Sequence, residues 1–133
     1  MSDFDIVNPA DWSKPVGYSN GIVAEGKFLF LGGQVAFDAE AKVVGEGDLV
    51  RQFEQTIANL ETVCREAGTS LDRMLKLTIF VQDRDEYKAR GKELGAIYRR
   101  YFGRHFPAMT LVEVARFYET EVLIEIEGIA LLP

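Results

Sequence analysis

The chain has 133 residues, 47% of them hydrophobic and 27% charged, which suits one domain spanning 1–133 with a filled core and leaves no room for a second. Its net charge of −6 and pI near 4.8 exclude a broad phosphate-binding surface, which needs clustered Lys and Arg, so nucleic acid is not an expected partner. A lone cysteine, Cys64, excludes an internal disulfide; the acidic opening without an apolar stretch, and the lack of any apolar run near the roughly 20 residues of a membrane helix, point to a cytoplasmic protein with no membrane partner.

After an irregular opening, "GYSNGIVAEGKFLFLGGQVAF" reads as two strands meeting in a turn at "EGK", with Gly26 at its tip. The second, Phe28 to Leu31, is apolar on both faces, as a central strand would be. It runs into Gly32 and Gly33, where a missing Cβ lets a ligand or another backbone approach. From Asp48 to Ala67, apolar residues recur every three or four positions (Leu49, Phe53, Ile57, Leu60, Cys64, Ala67). That spacing predicts a helix with one buried stripe, capped by Asp48 and ended by Gly68.

"MLKLTIFVQD" follows as a strand, and a second helix is expected from about Asp85 to Phe102. Tyr87, Leu94, Ile97 and Tyr101 form its inner face, while Gly91 and Gly95 weaken it and mark close packing. "FPAMTLVEVARF" enters another strand, and "VLIEIEGIALLP" closes the set after a turn near Glu119. The order β-β-α-β-α-β-β predicts an α/β (α+β) two-layer domain: one mixed sheet with two helices on one face. The uncovered face, carrying residues such as Leu123 and Ile129, should be buried by oligomerisation.

Glu125 and Glu127 are two apart in that last strand, so both carboxylates leave the same face roughly 7 Å apart. They project in parallel and do not flank a scissile bond as a glycosidase pair does. Either they lie on a partly solvated sheet face, or one of them orients a water in an interface cleft where enclosure raises its pKa. Cys64 sits on an apolar helix stripe, where a thiol is a small hydrophobe. His105 is the only histidine and has no second His or Cys beside it, so no metal site is expected. "YRRYFGRH" reads as a helix end whose cations complement the helix dipole while Tyr and Phe pack inward. "FLGGQV" lacks the lysine of a phosphate loop and the spacing of a dinucleotide fingerprint, so no cofactor is expected.

"VGYSNGI", "FLGGQV", "QTIANLETV", "FPAMTLVEVA" and "IEIEGIA" stand in the order and spacing of the RidA (YjgF-like) family, which the chain resembles from about Val16 to Leu131. The resemblance implies a chorismate-mutase-like fold, assembled as a homotrimer with clefts between subunits. It implies cofactor-free hydrolysis of reactive enamines and imines, with a small-molecule ligand as the other partner. By position, Glu125 corresponds to the catalytic carboxylate that positions water, Tyr18 to the cleft tyrosine, and Gly33 to the glycine whose backbone meets the ligand. Glu127 and Glu113 would be structural or partner-paired. Gly95, Met109, Thr110 and Leu111 fall at the remaining substrate-binding positions.

Two of these depart from the pattern: Met109 stands where deaminase members carry a carboxylate-clamping arginine, and Gly95 where they carry an asparagine. Burying an imino acid's carboxylate without a cation costs several kcal/mol. The resemblance therefore leaves three readings: a hydrolase for an imine, enamine or related metabolite other than the usual 2-imino acids; a noncatalytic trimer that binds a metabolite; or a cleft in which Arg104, Arg116 or His105 replaces the lost cation. The acidic charge gives no support to a ribonuclease role.

Overall fold

A computed structural model describes residues 4–133. In chain order the elements are β1 (Phe4–Val7), β2 (Gly21–Ala24), β3 (Phe28–Gln34), α1 (Leu49–Ala67), β4 (Met74–Val81), α2 (Arg84–Ala89), α3 (Gly91–Phe102), β5 (Ala108–Glu113) and β6 (Ile124–Leu131), with a short 3-10 turn at Leu71–Arg73. Strands β3-β6-β4-β5 form one mixed sheet. Here β6 runs antiparallel to both β3 and β4, and β4 is parallel to β5. A parallel pair needs a crossover, and α2 with α3 supplies it.

Helix α1 forms where its periodicity predicts. The Asp48 carboxylate accepts the Arg51 N–H at 3.1 Å, and Gly68 closes the helix at φ 86°, a conformation that favours glycine. Its stripe buries Leu49, Phe53, Ile57, Leu60 and Cys64 against the sheet, whereas Ala67 lies exposed beyond it. Alternation along the strands supplies the other half of the core: Leu77, Ile79 and Val81 of β4 and Ile124, Ile126 and Ala130 of β6 point toward the helices. Gly128 belongs to this face, and a Cβ there would fall 2.5 Å from the Lys76 carbonyl oxygen.

Four expectations are corrected. Phe4–Val7 forms a strand, and β2 pairs with it in a separate two-stranded sheet; β2 and β3 meet at Gly26 without forming a ladder. Strand β3 is an edge of the four-stranded sheet, and its two-sided apolarity leaves Phe30 73% exposed. The second helix is two: the first segment is capped at its start by the Asp83 carboxylate, and the break falls at Arg90, whose φ of −95° and ψ of 16° leave the helical range. Gly91 packs closely against nothing, since a Cβ there meets no atom within 4 Å. Among the described residues, no helix is long and apolar enough to cross a membrane, and no three His, Cys, Asp or Glu side chains cluster as metal ligands.

Candidate functional site

Glu125 and Glu127 leave the sheet on the face turned away from the helices, with Phe80 and Thr78 of β4 opposite them in register. Beside β6, strand β3 loses register between Leu31 and Gln34. This bulge carries Gly33 to the Glu125 carboxylate, where a Cβ built on Gly33 would lie 2.0 Å from Oε2. Any side chain at residue 33 would have to displace the acid. A small hollow of about 170 Å³ opens there, walled by Val35, Phe37, Phe117, Tyr118 and Val122.

The polar side of α1 holds two walls of this hollow. The Asn59 side-chain amide donates to the Val35 and Phe37 carbonyls at 2.9 and 3.0 Å. Gln52, fully buried, donates to Glu121 O at 2.9 Å and Gly45 O at 3.1 Å, and accepts the Leu123 N–H at 2.8 Å. The Glu125 carboxylate accepts no hydrogen bond among the described residues. Burial, and secondarily the Glu127 charge, push its carboxyl above the ordinary value of 4.5. A partly desolvated carboxylate with free lone pairs beside a bare stretch of backbone can take up a water and withdraw its proton.

Met109 and Gly95 line a different cavity, of about 320 Å³, on the helix side of the sheet. Its walls include Phe53, Ile79, Tyr87 and Tyr98. Met109 pairs with Leu77 across β4–β5, so its side chain shares the helix-facing side. Burial pushes the Tyr87 phenol up to about 12 and raises Tyr98 as well, so both are neutral. The Tyr98 hydroxyl is already committed, donating to His105 O at 2.7 Å, and its ring stacks on Phe102 and Phe106.

Tyr18 lines a neighbouring hollow of about 480 Å³ with Trp12, Lys14 and Arg104. Gly17 and Phe106 wall both this hollow and the Met109 cavity, which places them side by side. Ser19 anchors the approach by donating its N–H to Pro107 O at 3.0 Å. Thr110 turns to the open sheet face, where its hydroxyl accepts from Lys76 Nζ at 2.9 Å, and Leu111 sits half-exposed on the β5 edge.

The chain thus divides the expected site in two. Glu125 and Gly33 sit at the β3–β6 side of the sheet; Tyr18, Gly95 and Met109 gather beside β5 at the other edge. Another hollow, of about 700 Å³ between Leu49, Asp83, Glu86 and Glu113, contains none of them. There Glu113 Oε1 accepts the Arg84 N–H at 3.1 Å. Cys64 is buried, and desolvation followed by the Glu61 charge pushes its thiol up to about 11, far from a nucleophile's range.

Of the three candidate replacement cations, Arg104 borders the Tyr18 hollow, while His105 and Arg116 border neither hollow. The His105 ring instead meets the Met74 carbonyl and the Phe4 ring. Residues that the sequence pattern did not single out, Tyr87 as a cavity wall and Arg99, line the Met109 cavity. Their signal was positional: Arg99 is one helical turn after Gly95.

Comparison with known proteins gives this geometry its context. A family model described as Endoribonuclease L-PSP matches residues 12–132. A RutC family protein from Synechocystis is 38% identical over 130 residues, covering 96% of each chain. A Salmonella typhimurium protein named 2-iminobutanoate/2-iminopropanoate deaminase is 33% identical over 108 residues, 79% of this chain and 80% of that one. Among solved structures, a Rid-family protein of unknown function from Yersinia pestis is similar with a TM-score of 0.89 at 30% identity, covering 98% of this chain and 100% of that one. The YjgF gene product of E. coli is similar with a TM-score of 0.67 at 31% identity, covering 86% and 87%.

Proposed function

The chain belongs to the Endoribonuclease L-PSP family, that of its RidA- and YjgF-like relatives, and on that premise we propose that it hydrolyses a reactive imine or enamine in clefts shared between copies of the chain. The observation that carries this reading is the Glu125–Gly33 contact. An acid with an upward-shifted pKa and no internal donor stands against backbone that no Cβ shields. The division of the site supports the shared cleft. Glu125 lies on the open face near one sheet edge and Met109 on the helix side near the other, so one copy can complete the site of the next.

In the proposed reaction, Glu125 as carboxylate withdraws a proton from water as its oxygen adds to the imine carbon. That proton passes to the imine nitrogen to give a carbinolamine, and Glu125 then takes the hydroxyl proton and delivers it to the same nitrogen as the C–N bond breaks. Ammonia leaves, and the carbon keeps the oxygen as a ketone. Gly33 leaves room for the reacting atoms beside the acid. Met109 and Gly95 give the cleft an apolar wall where the usual carboxylate clamp would stand, so the substrate differs from small 2-imino acids.

Coupling the protein to a pyridoxal-phosphate serine dehydratase and following pyruvate release tests the standard substrate. Little acceleration over spontaneous hydrolysis is expected, with a gain on Met109→Arg. Once a substrate turns over, Glu125→Gln should abolish the acceleration, and unchanged turnover would remove Glu125 from the mechanism. A second reading, a noncatalytic trimer that binds an apolar metabolite, draws on the same Met109 wall. Ligand-induced rise in Tm without turnover of any imine would favour it.

A further inference from the structure

The cavity beside Met109 has an arginine, Arg99, at its solvent-exposed rim. Residues four apart on a helix lie over one another, and each side chain leans toward the N-terminus, so Arg99 falls over Gly95 in α3. Its Nη1 lies 3.3 Å from where a Gly95 Cβ would stand. The guanidinium thus occupies space that any larger residue at 95 would contest. Among the described residues, the Arg99 side chain has no carboxylate and no hydrogen-bond acceptor as a partner. Its neighbour Arg100, by contrast, pairs with Glu54 and lies over the Tyr101 ring.

From this arrangement we infer that Arg99 is the specificity-determining cation of the cavity, and that the ligand is a monocarboxylate with a bulky apolar or aromatic body. The body packs among Phe53, Ile79, Tyr87 and Met109, and the carboxylate meets the guanidinium at the rim. Loss of the asparagine at 95 and of the arginine at 109 is then a single change. The anion-binding group moves from the strand to the helix, and the vacated strand position becomes apolar. A volume of about 320 Å³ accommodates a phenyl-sized group with a short acid tail. This deepens the proposed function, because it rests on the Met109 cavity being the substrate's seat.

The test uses the full chain, with 3-phenylpropionate, 3-phenylpropanamide and propionate as probes, and measures affinity by calorimetry. The acid should bind about tenfold or more tightly than its uncharged amide, with propionate weaker still, and added salt should erode the difference. Arg99→Gln should abolish the preference for the acid while leaving amide binding and Tm in place. Equal affinity for acid and amide, or a preference that survives Arg99→Gln, overturns the inference. Glu125→Gln separates the two readings. Acid-selective binding that persists in that variant, with no imine turnover by the native chain, upholds the Arg99 assignment and sinks the hydrolase.

Discussion

Alternate residues of the same strands build the two faces of the sheet, and the faces meet different fates. On β6, Ile124, Ile126 and Ala130 are buried on the side that α1 covers, while Glu125, Glu127 and Ile129 between them face the other way. The helix side is buried, and among the described residues the Thr56 hydroxyl is its one buried side-chain polar atom without a partner. The open side mixes Phe30, Phe80 and Ile129 with Lys76, Thr78 and the two acids. The comparison separates two kinds of burial. One face is finished by the chain's own helices; the other keeps an acid with raised pKa and a 73%-exposed phenylalanine within one subunit, a combination that further copies can cover.

The widest gap between the faces should appear on truncation. Ile126→Ala, beneath the helices, is expected to cost about 2–5 kcal/mol in urea unfolding. Phe30→Ala should change the stability of an isolated subunit by less than about 0.5 kcal/mol. If copies cover the open face, Phe30→Asp will instead shift the sedimentation of the native assembly toward the monomer. An unaltered assembly would remove Phe30 from any interface.

The next effect lies at the boundary between the faces. Gln52→Ala leaves Glu121 O and the Leu123 N–H without this partner, while Gly45 O keeps the Asp48 N–H, at a cost of about 1–3 kcal/mol. Because Gln52 holds the entry to β6, that variant should also lose turnover beyond what its lower Tm explains. Loss of stability alone would make it purely structural. One turn along the helix, Thr56 buries a hydroxyl with no partner, so Thr56→Val should raise stability by about 1 kcal/mol in the same unfolding series.

The smallest effect is one of pH. Burial raises the folded Glu125 carboxyl above 4.5, so just above that pH the folded chain keeps a proton that the unfolded chain has released. Stability from this group is therefore full below the unfolded value and declines as pH rises through the folded one. Glu125→Gln removes the linkage. Its Tm relative to the native chain should be flat in acid and climb across that window. A difference that does not vary with pH would show the carboxyl to be unperturbed. For the proposed hydrolysis the sign is opposite, since the base must be ionised: turnover should fall as pH drops through the raised pKa.

Much of the fold could be read in the chain because it is local. Apolar spacing with Asp48 and Gly68 at its ends specifies α1 without reference to anything distant, and the two-residue period of β6 puts Glu125 and Glu127 on one face. Ordered motifs also pointed to the family. What stayed hidden depends on partners far along the chain. β3 looked central because period and apolarity report how many faces are apolar, not which strands lie alongside. Gln52 carries no signal in the apolar spacing of α1 because two of its partners are about seventy residues away.

The candidate site divides the same way. Strand alternation nominated Glu125 and the paired glycines nominated Gly33, whereas Tyr18 and Met109 were nominated only by the resemblance of their motifs to the family. Their separation into a Glu125 hollow and a Met109 cavity, the register shift that brings Gly33 to the acid, and the fall of Arg99 over Gly95 arise only when β3, β6 and α3 pack in three dimensions. Side-chain periodicity is a property of one segment. Distance between segments is set by how their apolar faces find cover, and no single segment carries that information.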